Sequence, residues 1–277
     1  MLKQRVITAL VLLALLIAAL WAASPWPFAL FSLLLLTAAA WEWARLNGAA
    51  TVSLWFAALL AGFCGSAFGL GWGAAAPSAL WWAGLLIWTL MGTWVLRRGV
   101  ADWARHPKAL RLVAGLVLLW LAWLAIVNAH RIGINFLLSV CCLVWMADIS
   151  AYFGGRAFGR RKLAPSISPG KSWEGVWSGM AGVLLLAVVW LSIDRSIGVD
   201  SQSLYSRLWL RLGLPGFVLV LLLLSMLSVV GDLFESLIKR SAGAKDSSRL
   251  LPGHGGVLDR FDALLPVLPA ALAFVSL

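Results

Sequence analysis

Long apolar stretches alternate with short polar segments along the whole chain. Nine of them have about the 20 residues that a helix needs to cross a bilayer. The first follows Lys3 and Arg5 and could be taken for a signal peptide. Its 18 apolar residues exceed the usual ~7–15 of such a segment, so we interpret it as a retained helix. The predicted spans are 6–23, 27–44, 52–70, 78–96, 110–128, 134–153, 174–193, 215–235 and 259–277.

The pattern therefore predicts an all-α polytopic membrane protein. We divide it into an N-terminal transmembrane region, 1–130, with about five helices, and a C-terminal region, 131–277, with about four helices and two polar loops. Gly175, Gly179 and Gly182 repeat along the seventh span and are typical of positions where two membrane helices pack closely.

Composition agrees with a membrane protein and excludes several other classes. The chain is 62% hydrophobic and only 12% charged, with a mean hydropathy of +0.93. These values exclude an ordinary cytosolic enzyme, a disordered regulator and a secreted disulfide scaffold. The 18 tryptophans fit many crossings of the membrane interface. The three cysteines lie inside apolar runs and predict no disulfide.

The net charge of +11 gains meaning only when the basic residues are assigned to loops. With a cytoplasmic N-terminus, 18 of the 22 lysines and arginines fall on the cytoplasmic side, as the positive-inside rule expects. The two most polar loops, 154–173 and 236–258, then share that side. Anionic headgroups or phosphate-bearing substrates explain the charge without nucleic acid. The four basic residues assigned outside are Arg131, Arg195, Arg207 and Arg211.

Acidic residues gather at the edges of the two polar loops, and acids at membrane depth usually mark ion, proton or substrate sites. Asp232 and Glu235 are three residues apart, so both lie on one face of a helix, and the same holds for Asp259 and Asp262. If the eighth and ninth spans form a hairpin, these pairs face one another and suit Mg²⁺. Two alternatives stay open: helix capping by Asp259 and Asp262, and an interfacial role for Asp148. The clustered acids are Asp148, Glu174, Asp232, Glu235, Asp246, Asp259 and Asp262.

Cations and glycines surround these acids in a pattern that favours phosphate binding. The turn 252–256 reads PGHGG, and its glycines allow backbone N–H groups to approach an anion. For the basic residues alone, a positive-inside loop is an equally good explanation. The neighbouring cations are Lys239, Arg240, Lys245, Arg249 and Arg260.

The other polar loop ends in Gly170-Lys171-Ser172 but does not satisfy the P-loop pattern, because its required first glycine falls at Pro165. Lys171 can still reach a phosphate as a point charge, and Ser168 or Ser172 can donate to a phosphate oxygen. No HExxH motif and no GxSxG motif is present in the sequence.

Residues 236–262 resemble the C-terminal signature of the phosphatidate cytidylyltransferases, also called CDP-diacylglycerol synthases. They read SLIKR, four residues, KD, and then LPGHGGVLDRFD from 251 to 262; 231–235 also fit. An earlier motif is similar too, with Gly170 and Ser172 as mild departures. Its matching positions are Asp148, Ala151, Tyr152, Gly155, Arg156, Gly159, Arg160, Pro165, Ile167, Ser168, Pro169, Lys171, Ser172, Glu174 and Gly175.

The resemblance implies transfer of CMP from CTP to phosphatidic acid, dependent on Mg²⁺, at the cytoplasmic surface of the bilayer. It also implies a homodimer, a monovalent cation such as K⁺ beside the Mg²⁺, and a bacterial inner (plasma) membrane. By this analogy Asp232 and Asp259 are the metal ligands. Predicted catalytic or substrate-binding residues are Ser168, Lys171, Lys239, Arg240, Lys245, Asp246, His254, Arg260 and Asp262; weaker candidates are Asp148, Tyr152, Glu174 and Glu235.

Two other functions remain as alternatives. A CTP-dependent polyprenol or phytol kinase has a similar membrane character but transfers the γ-phosphate to an alcohol, and the complete C-terminal signature argues against it. A transporter would also have many spans and acidic residues, but its charges are expected near mid-membrane. The charges here gather at one face.

Overall fold

The computed structural model describes residues 2–277, with the side chains of all of these except 2–5, 95 and 96. Helices dominate, and one short antiparallel hairpin lies between α7 and α8. The elements are α1 (Leu2–Leu20), α2 (Trp26–Leu46), a 3-10 turn (Ala50–Val52), α3 (Ser53–Gly69), α4 (Ser78–Arg98), α5 (Val100–Trp103), α6 (Lys108–Ile132), α7 (Ile134–Phe158), β1 (Lys162–Ala164), β2 (Ser168–Ser172), α8 (Trp173–Ser196), α9 (Leu204–Ser241), α10 (Leu258–Phe261) and α11 (Leu264–Val275).

Among residues 2–277, nine helices of twelve residues or more run alternately between two ends of the molecule. One end, which we call the loop end, gathers the C-terminus of α2 and both polar loops: the amide of Val257 lies 2.9 Å from Glu42 Oε1. At the opposite end, the side chain of Asn135 at the start of α7 donates to Asp194 in the last turn of α8, at 2.9 Å. Arg211 of α9 there donates to the carbonyl of Val275.

Six of the described helices are long and apolar enough to cross a membrane by length and composition: α2, α3 with its preceding turn, α6, α7, α8 and α9. The chain is therefore an all-α membrane protein in outline, and the number nine stays a prediction. The last helix, α11, has 12 residues and is about 18 Å long, against about 30 Å of bilayer core.

The predicted ninth span, 259–277, is two helices in the structure. Proline explains the break, because Pro266 has no N–H to donate to the carbonyl four residues earlier, at Asp262. The eighth span is longer than the predicted 215–235. A non-helical Gly213 (φ 61°, ψ −177°) interrupts it just before Pro215, and the final turns continue past the apolar run to Ser241.

The segment 154–173, predicted as a polar loop, contains the hairpin of β1 and β2, which the all-α fold class does not include. Lys162 pairs with Ser172, and Ala164 pairs with Ser168. The side chain of Ser172 then accepts from the amide of Gly175 at 3.2 Å and caps α8. This arrangement presents Lys171 just before a helix N-terminus.

The predicted small-residue packing surface on the seventh span is confirmed. A methyl group at Gly179 would lie 2.9 Å from the carbonyl oxygen of Ala147, and one at Gly175 would lie 2.9 Å from that of Ala151. At Gly182 it would meet the hydroxyl of Ser150 at 2.1 Å. Glycine therefore allows α7 and α8 to touch along their length.

Aromatic side chains near the loop end join the N-terminal helices to α9. The ring of Phe234 meets those of Trp43, Trp88 and Trp103 with centroids 5.3–6.0 Å apart, two of the pairs being edge-to-face. Such contacts add to the free energy of burial. Together with α11, which is almost wholly buried and packs against α4, α6 and α9, they hold the acidic end of α9 in a defined position.

Candidate active site at the loop end

A cleft of about 520 Å³ opens between α7, β2, α8 and α9. Its walls come from both sequence motifs, which are separated by more than 50 residues of the chain. Seven polar side chains line the cleft, together with the apolar Ala151, Val176 and Val229 and three glycines. The polar lining residues are Asp148, Tyr152, Arg156, Ser168, Lys171, Ser172 and Asp232.

A first group of charges, the Lys171 cluster, consists of Asp148, Lys171 and Asp232, which line this cleft, and of Asp262, which lies near them. Lys171 Nζ lies 2.5 Å from Asp232 Oδ2. The hydroxyl of Ser236, one turn along α9, donates to Asp232 Oδ1 at 3.2 Å. Asp148 and Asp262 are close enough to act electrostatically on Asp232 and Lys171. Three acidic side chains therefore lie near one ammonium group, and Asp232 is the one in direct contact with it.

A second group, the Lys239 cluster, consists of Glu235, Lys239 and Asp259. Lys239 Nζ lies 2.6 Å from Asp259 Oδ1 and also contacts the buried carboxylate of Glu235. The other oxygen of Asp259 accepts three hydrogen bonds, from the amide and hydroxyl of Ser247 (3.0 and 2.8 Å) and from the amide of Gly256 (2.8 Å).

Asp259 lies in the short α10, outside the long apolar helices. Burial raises the pKa of its carboxyl, but the hydrogen bonds from Lys239, Gly256 and Ser247 outweigh burial and hold that pKa well below its ordinary value. Asp259 is therefore a carboxylate at neutral pH.

Gly231 explains how the two acidic pairs come together. A methyl group there would lie 2.3 Å from the carbonyl oxygen of Asp262 and 2.9 Å from the ring of Pro266. Only glycine allows α9 to approach the α10–α11 junction this closely. The arrangement matches the hairpin that the sequence predicts, with Lys239 bridging Glu235 and Asp259.

The turn 252–256 is closed by its own backbone and by one arginine. Leu251 and Gly255 form an antiparallel β-bridge, in which the amide of Leu251 donates to the carbonyl oxygen of Gly255 at 2.9 Å. Gly253 and Gly255 have φ of +78° and +85°, a region that favours glycine. Arg260 donates through Nε to the carbonyl of His254 at 3.1 Å. This arginine, predicted to bind substrate, fastens the turn in the structure.

A second pocket, of about 500 Å³, lies beside α2. Ser247 lines it and also donates to Asp259, so the pocket adjoins the Lys239 cluster. Arg45 stacks on Trp41 with its guanidinium carbon 4.6 Å from the ring centroid. Exposed Arg240 lies apart from both pockets' linings and donates to the carbonyl of Ala244 at 3.4 Å. The lining residues are Trp41, Arg45, Lys245, Asp246, Ser247, Ser248 and Arg249.

Two of the weaker candidates have different surroundings. Tyr152 lies in the cleft wall and is largely exposed. Glu174 does not line the cleft; its carboxylate accepts from the amides of Arg160 and Arg161, at 3.0 and 3.1 Å, and pairs with the Arg161 side chain. Glu174 thus holds in place the residues that precede β1 of the hairpin.

Glu42 is the residue that the sequence reasoning missed. It is fully buried at the end of α2 and accepts hydrogen bonds from the signature segment more than 200 residues away. The signal was available, because Glu42 is an acid within an apolar run, at the end of the predicted second span, and the argument applied to Asp148 holds for it as well.

The described residues include no group of three or more His, Cys, Asp or Glu close enough to hold a metal ion. The donor types nevertheless fit Mg²⁺, which prefers oxygen ligands. Both acids predicted to bind the metal are met by an ammonium group: Asp232 by Lys171 and Asp259 by Lys239. These lysines compensate the charge at the two positions that a divalent cation would neutralise.

Comparison with known proteins identifies similar sequences over the full length of the chain. The cytidylyltransferase family profile matches residues 3–277. A protein named phosphatidate cytidylyltransferase from Pseudomonas aeruginosa is 41% identical over 291 positions, covering 99% of this chain and 97% of the relative. One of the same name from Haemophilus influenzae is 35% identical, covering 97% and 96%. One from Brucella abortus is 44% identical over 143 positions, covering 52% and 47%.

Proposed function

The chain belongs to the cytidylyltransferase family, and from this membership we propose that it transfers CMP from CTP to phosphatidate, giving CDP-diacylglycerol and pyrophosphate. Relatives that carry the name phosphatidate cytidylyltransferase align over nearly all of both chains. The substrates are therefore CTP and phosphatidic acid, and the protein works in a lipid bilayer.

The observation that carries this function is the contact between Lys171 and Asp232. It joins the earlier motif, on the hairpin, to the C-terminal signature, on α9, at one cleft. Acids, a lysine and hydroxyls there share a space with apolar side chains. Such a cleft suits a ligand that has a phosphate head and an acyl tail.

The reaction needs charge neutralisation more than it needs a base. An oxygen of the phosphatidate phosphate attacks the α-phosphorus of CTP, the new P–O–P bond forms, and the bond to the β-phosphate breaks to release pyrophosphate. The attacking phosphate is already an anion near neutral pH. Repulsion between the two polyanions is the main obstacle, and cationic side chains fixed in a site lower it.

We assign the cations to the phosphates as follows. Lys171 lines the cleft that holds apolar side chains, so it serves the lipid phosphate. Lys239, together with Lys245 of the second pocket, serves the triphosphate and the departing pyrophosphate. Ser168, which lines the cleft, donates a hydrogen bond to a phosphate oxygen of the substrate. Asp246, His254, Arg260 and Asp262 order the loop and the acids around it, and Arg240 adds positive potential nearby.

Mg²⁺ fits this arrangement when held by Asp232 and Asp259. The chemistry that Mg²⁺ would supply there is positive charge that neutralises part of the charge on the triphosphate. Lys171 and Lys239, which otherwise compensate these two carboxylates, would then be free to donate to phosphate oxygens. Asp148 and Asp262 add negative charge beside Asp232, and K⁺ is a suitable second cation there.

The architecture suits substrates from two phases. Phosphatidate is confined to the bilayer and CTP to water, so a site at the loop end meets both. The excess of basic residues in the loop-end segments supports a cytoplasmic position for that end, in a multi-pass protein of a bacterial inner membrane. The resemblance to the family supports a homodimer.

Label transfer tests the reaction directly. The purified protein is incubated with Mg²⁺ and phosphatidate in mixed micelles, with CTP labelled at either the α- or the γ-phosphate. We expect α-label in an organic-extractable product and γ-label in pyrophosphate. The matched control uses diacylglycerol or polyprenol in place of phosphatidate.

Two other results of the label-transfer experiment would contradict the proposed reaction. Extractable γ-label with an alcohol acceptor would replace the proposal with a lipid kinase. Absence of transfer from both positions, in protein that unfolds cooperatively on heating, would contradict nucleotidyl transfer to phosphatidate.

A further inference from the structure

Glu42 is a buried carboxylate that no part of the proposed reaction uses. It lies at the C-terminal end of α2, in the N-terminal half of the chain and outside both motifs. Its side chain is 0% exposed. A buried carboxylate is costly unless it is hydrogen-bonded on both oxygens.

Four donors from the signature segment compensate the Glu42 carboxylate. The amide of Val257 lies 2.9 Å from Oε1, and the amide of Leu258 lies 2.7 Å from Oε2. The hydroxyl of Ser247 lies 3.1 Å from Oε2, and that of Ser248 donates to Oε1. Every one of these donors lies between residues 247 and 258.

The same segment also holds Asp259. The amide of Gly256 donates to Asp259, whereas the next two amides donate to Glu42. Ser247 lies between the two acids, with its hydroxyl oxygen 2.8 Å from Asp259 Oδ2 and 3.1 Å from Glu42 Oε2. Because a hydroxyl has one proton, the two carboxylates share a single donor and their positions depend on each other.

Packing leaves little freedom in this arrangement. A methyl group at Gly256 would lie 1.9 Å from the Ser247 hydroxyl and 2.5 Å from Glu42 Oε1. The neighbouring Trp43 donates its indole N–H to the carbonyl of Arg111 at 2.9 Å and packs against Phe234. The end of α2 is therefore anchored to α6 and α9.

We propose that Glu42 is a positioning residue for the transfer site: through Ser247 and the 256–258 backbone, it holds Asp259 in the orientation that the reaction requires. Glu42 touches no substrate. The N-terminal region then contributes to the active site, because a residue of α2 holds Asp259 of α10 in position. This inference rests on the function proposed above.

The test compares Glu42→Gln with a matched control. Asp194 at the opposite end also accepts from four donors: the Ser203 amide, the hydroxyls of Ser203 and Ser206, and the Asn135 side chain. Asp194→Asn therefore removes a comparable hydrogen-bonding charge far from the site. We expect Glu42→Gln to lower kcat about tenfold or more with KM for phosphatidate unchanged, and Asp194→Asn to leave kcat near that of the wild type.

Two further readouts separate positioning from general destabilisation. Hydrogen exchange of the Val257 and Leu258 amides should accelerate in Glu42→Gln and stay unchanged in Asp194→Asn. In a double-mutant cycle on kcat, the loss for Glu42→Gln combined with Ser247→Ala should be smaller than the product of the two single losses, because Ser247 carries part of the effect of Glu42. Glu42→Asp, which keeps the charge, should restore part of kcat.

Several outcomes would overturn the proposal. Wild-type kcat in folded Glu42→Gln would do so, as would equal kcat losses in Glu42→Gln and Asp194→Asn, or losses that multiply in the cycle. If Glu42→Gln does not fold, Ser248→Ala removes one donor from Glu42 and none from Asp259; unchanged kcat and exchange there would contradict the proposal. If the wild type transfers no CMP, the proposed function fails, and the exchange measurement still tests whether Glu42 holds the segment.

Discussion

At the scale of single residues, the site consists of carboxylates whose charge is compensated by lysines. Asp232 and Asp259 each contact one lysine at 2.5–2.6 Å, and Glu235 shares Lys239. Removing one member of a buried pair leaves the other uncompensated, which costs more than the net contribution of the pair. Substitutions here are therefore expected to affect both activity and local order, and each needs a control for folding.

Asp232→Asn and Asp259→Asn are each expected to abolish turnover, with at least about a 100-fold loss in kcat/KM, because each removes a carboxylate that would hold the Mg²⁺ needed to neutralise the phosphates. Label transfer measures the loss, and thermal unfolding in detergent monitors folding. Asp102→Asn is the matched control, since Asp102 pairs with His106 at 3.7 Å and lines neither pocket. Near-normal activity in either site variant would refute its assignment as a metal ligand.

Lys171→Ala should impair turnover far more than Arg207→Ala. Lys171 lies in the cleft, whereas Arg207 donates to the carbonyl of Gln202 at the opposite end. We expect about a 100-fold loss of kcat/KM for the first and a change within about twofold for the second. Equal losses would remove Lys171 from the phosphate site.

At the scale of elements, glycine sets how closely the helices of the site approach. α7 and α8 touch at Gly175, Gly179 and Gly182, and α9 meets the α10–α11 junction at Gly231. The distances between acids on different helices therefore depend on residues that carry no chemistry themselves.

Gly231→Ala is expected to lower stability by about 1–3 kcal/mol, as overpacking does, and to reduce turnover by separating the two acidic pairs. Gly62→Ala is the control, because a methyl group there would meet nothing within 4 Å; it should be neutral or slightly stabilising in α3. Thermal unfolding and label transfer on both variants provide the comparison. An unchanged melting temperature for Gly231→Ala would contradict the close approach.

At the scale of the whole molecule, the alternation of the helices gathers every segment of the site at one end. The start of α1 belongs to this end as well, since the Thr8 hydroxyl lies 3.5 Å from the carbonyl of Pro252. The basic bias of the same segments predicts that this end faces the cytoplasm.

Cysteine labelling in intact cells checks the orientation. A membrane-impermeant maleimide should label Gly198→Cys, which is exposed at the opposite end, and should label Ser166→Cys only after the membrane is opened. The parent protein is the control, because Cys64 is buried and Cys141 and Cys142 are half-buried. Labelling of Ser166→Cys in intact cells would reverse the predicted orientation.

Hydropathy and motif spacing are enough to predict the class of the protein, most of its helices and the two segments that line the candidate site. Apolar length predicts a membrane helix because the bilayer imposes one requirement on every span, and the acids at the loop edges were visible for the same reason. The sequence also predicted the packing surface of Gly175, Gly179 and Gly182, since small residues at this spacing have few other uses in such a helix.

Which acidic side chain contacts which basic one becomes visible only in the folded molecule. Lys171 pairs with Asp232 across 61 residues, Arg260 fastens the glycine turn, and Glu174 fastens the hairpin; none of these partners is set by local spacing. Glu42 depends on contacts across more than 200 residues. Hydropathy assigns a residue to a depth in the membrane, but neighbours at that depth are chosen by how the helices pack, and packing depends on all of them together.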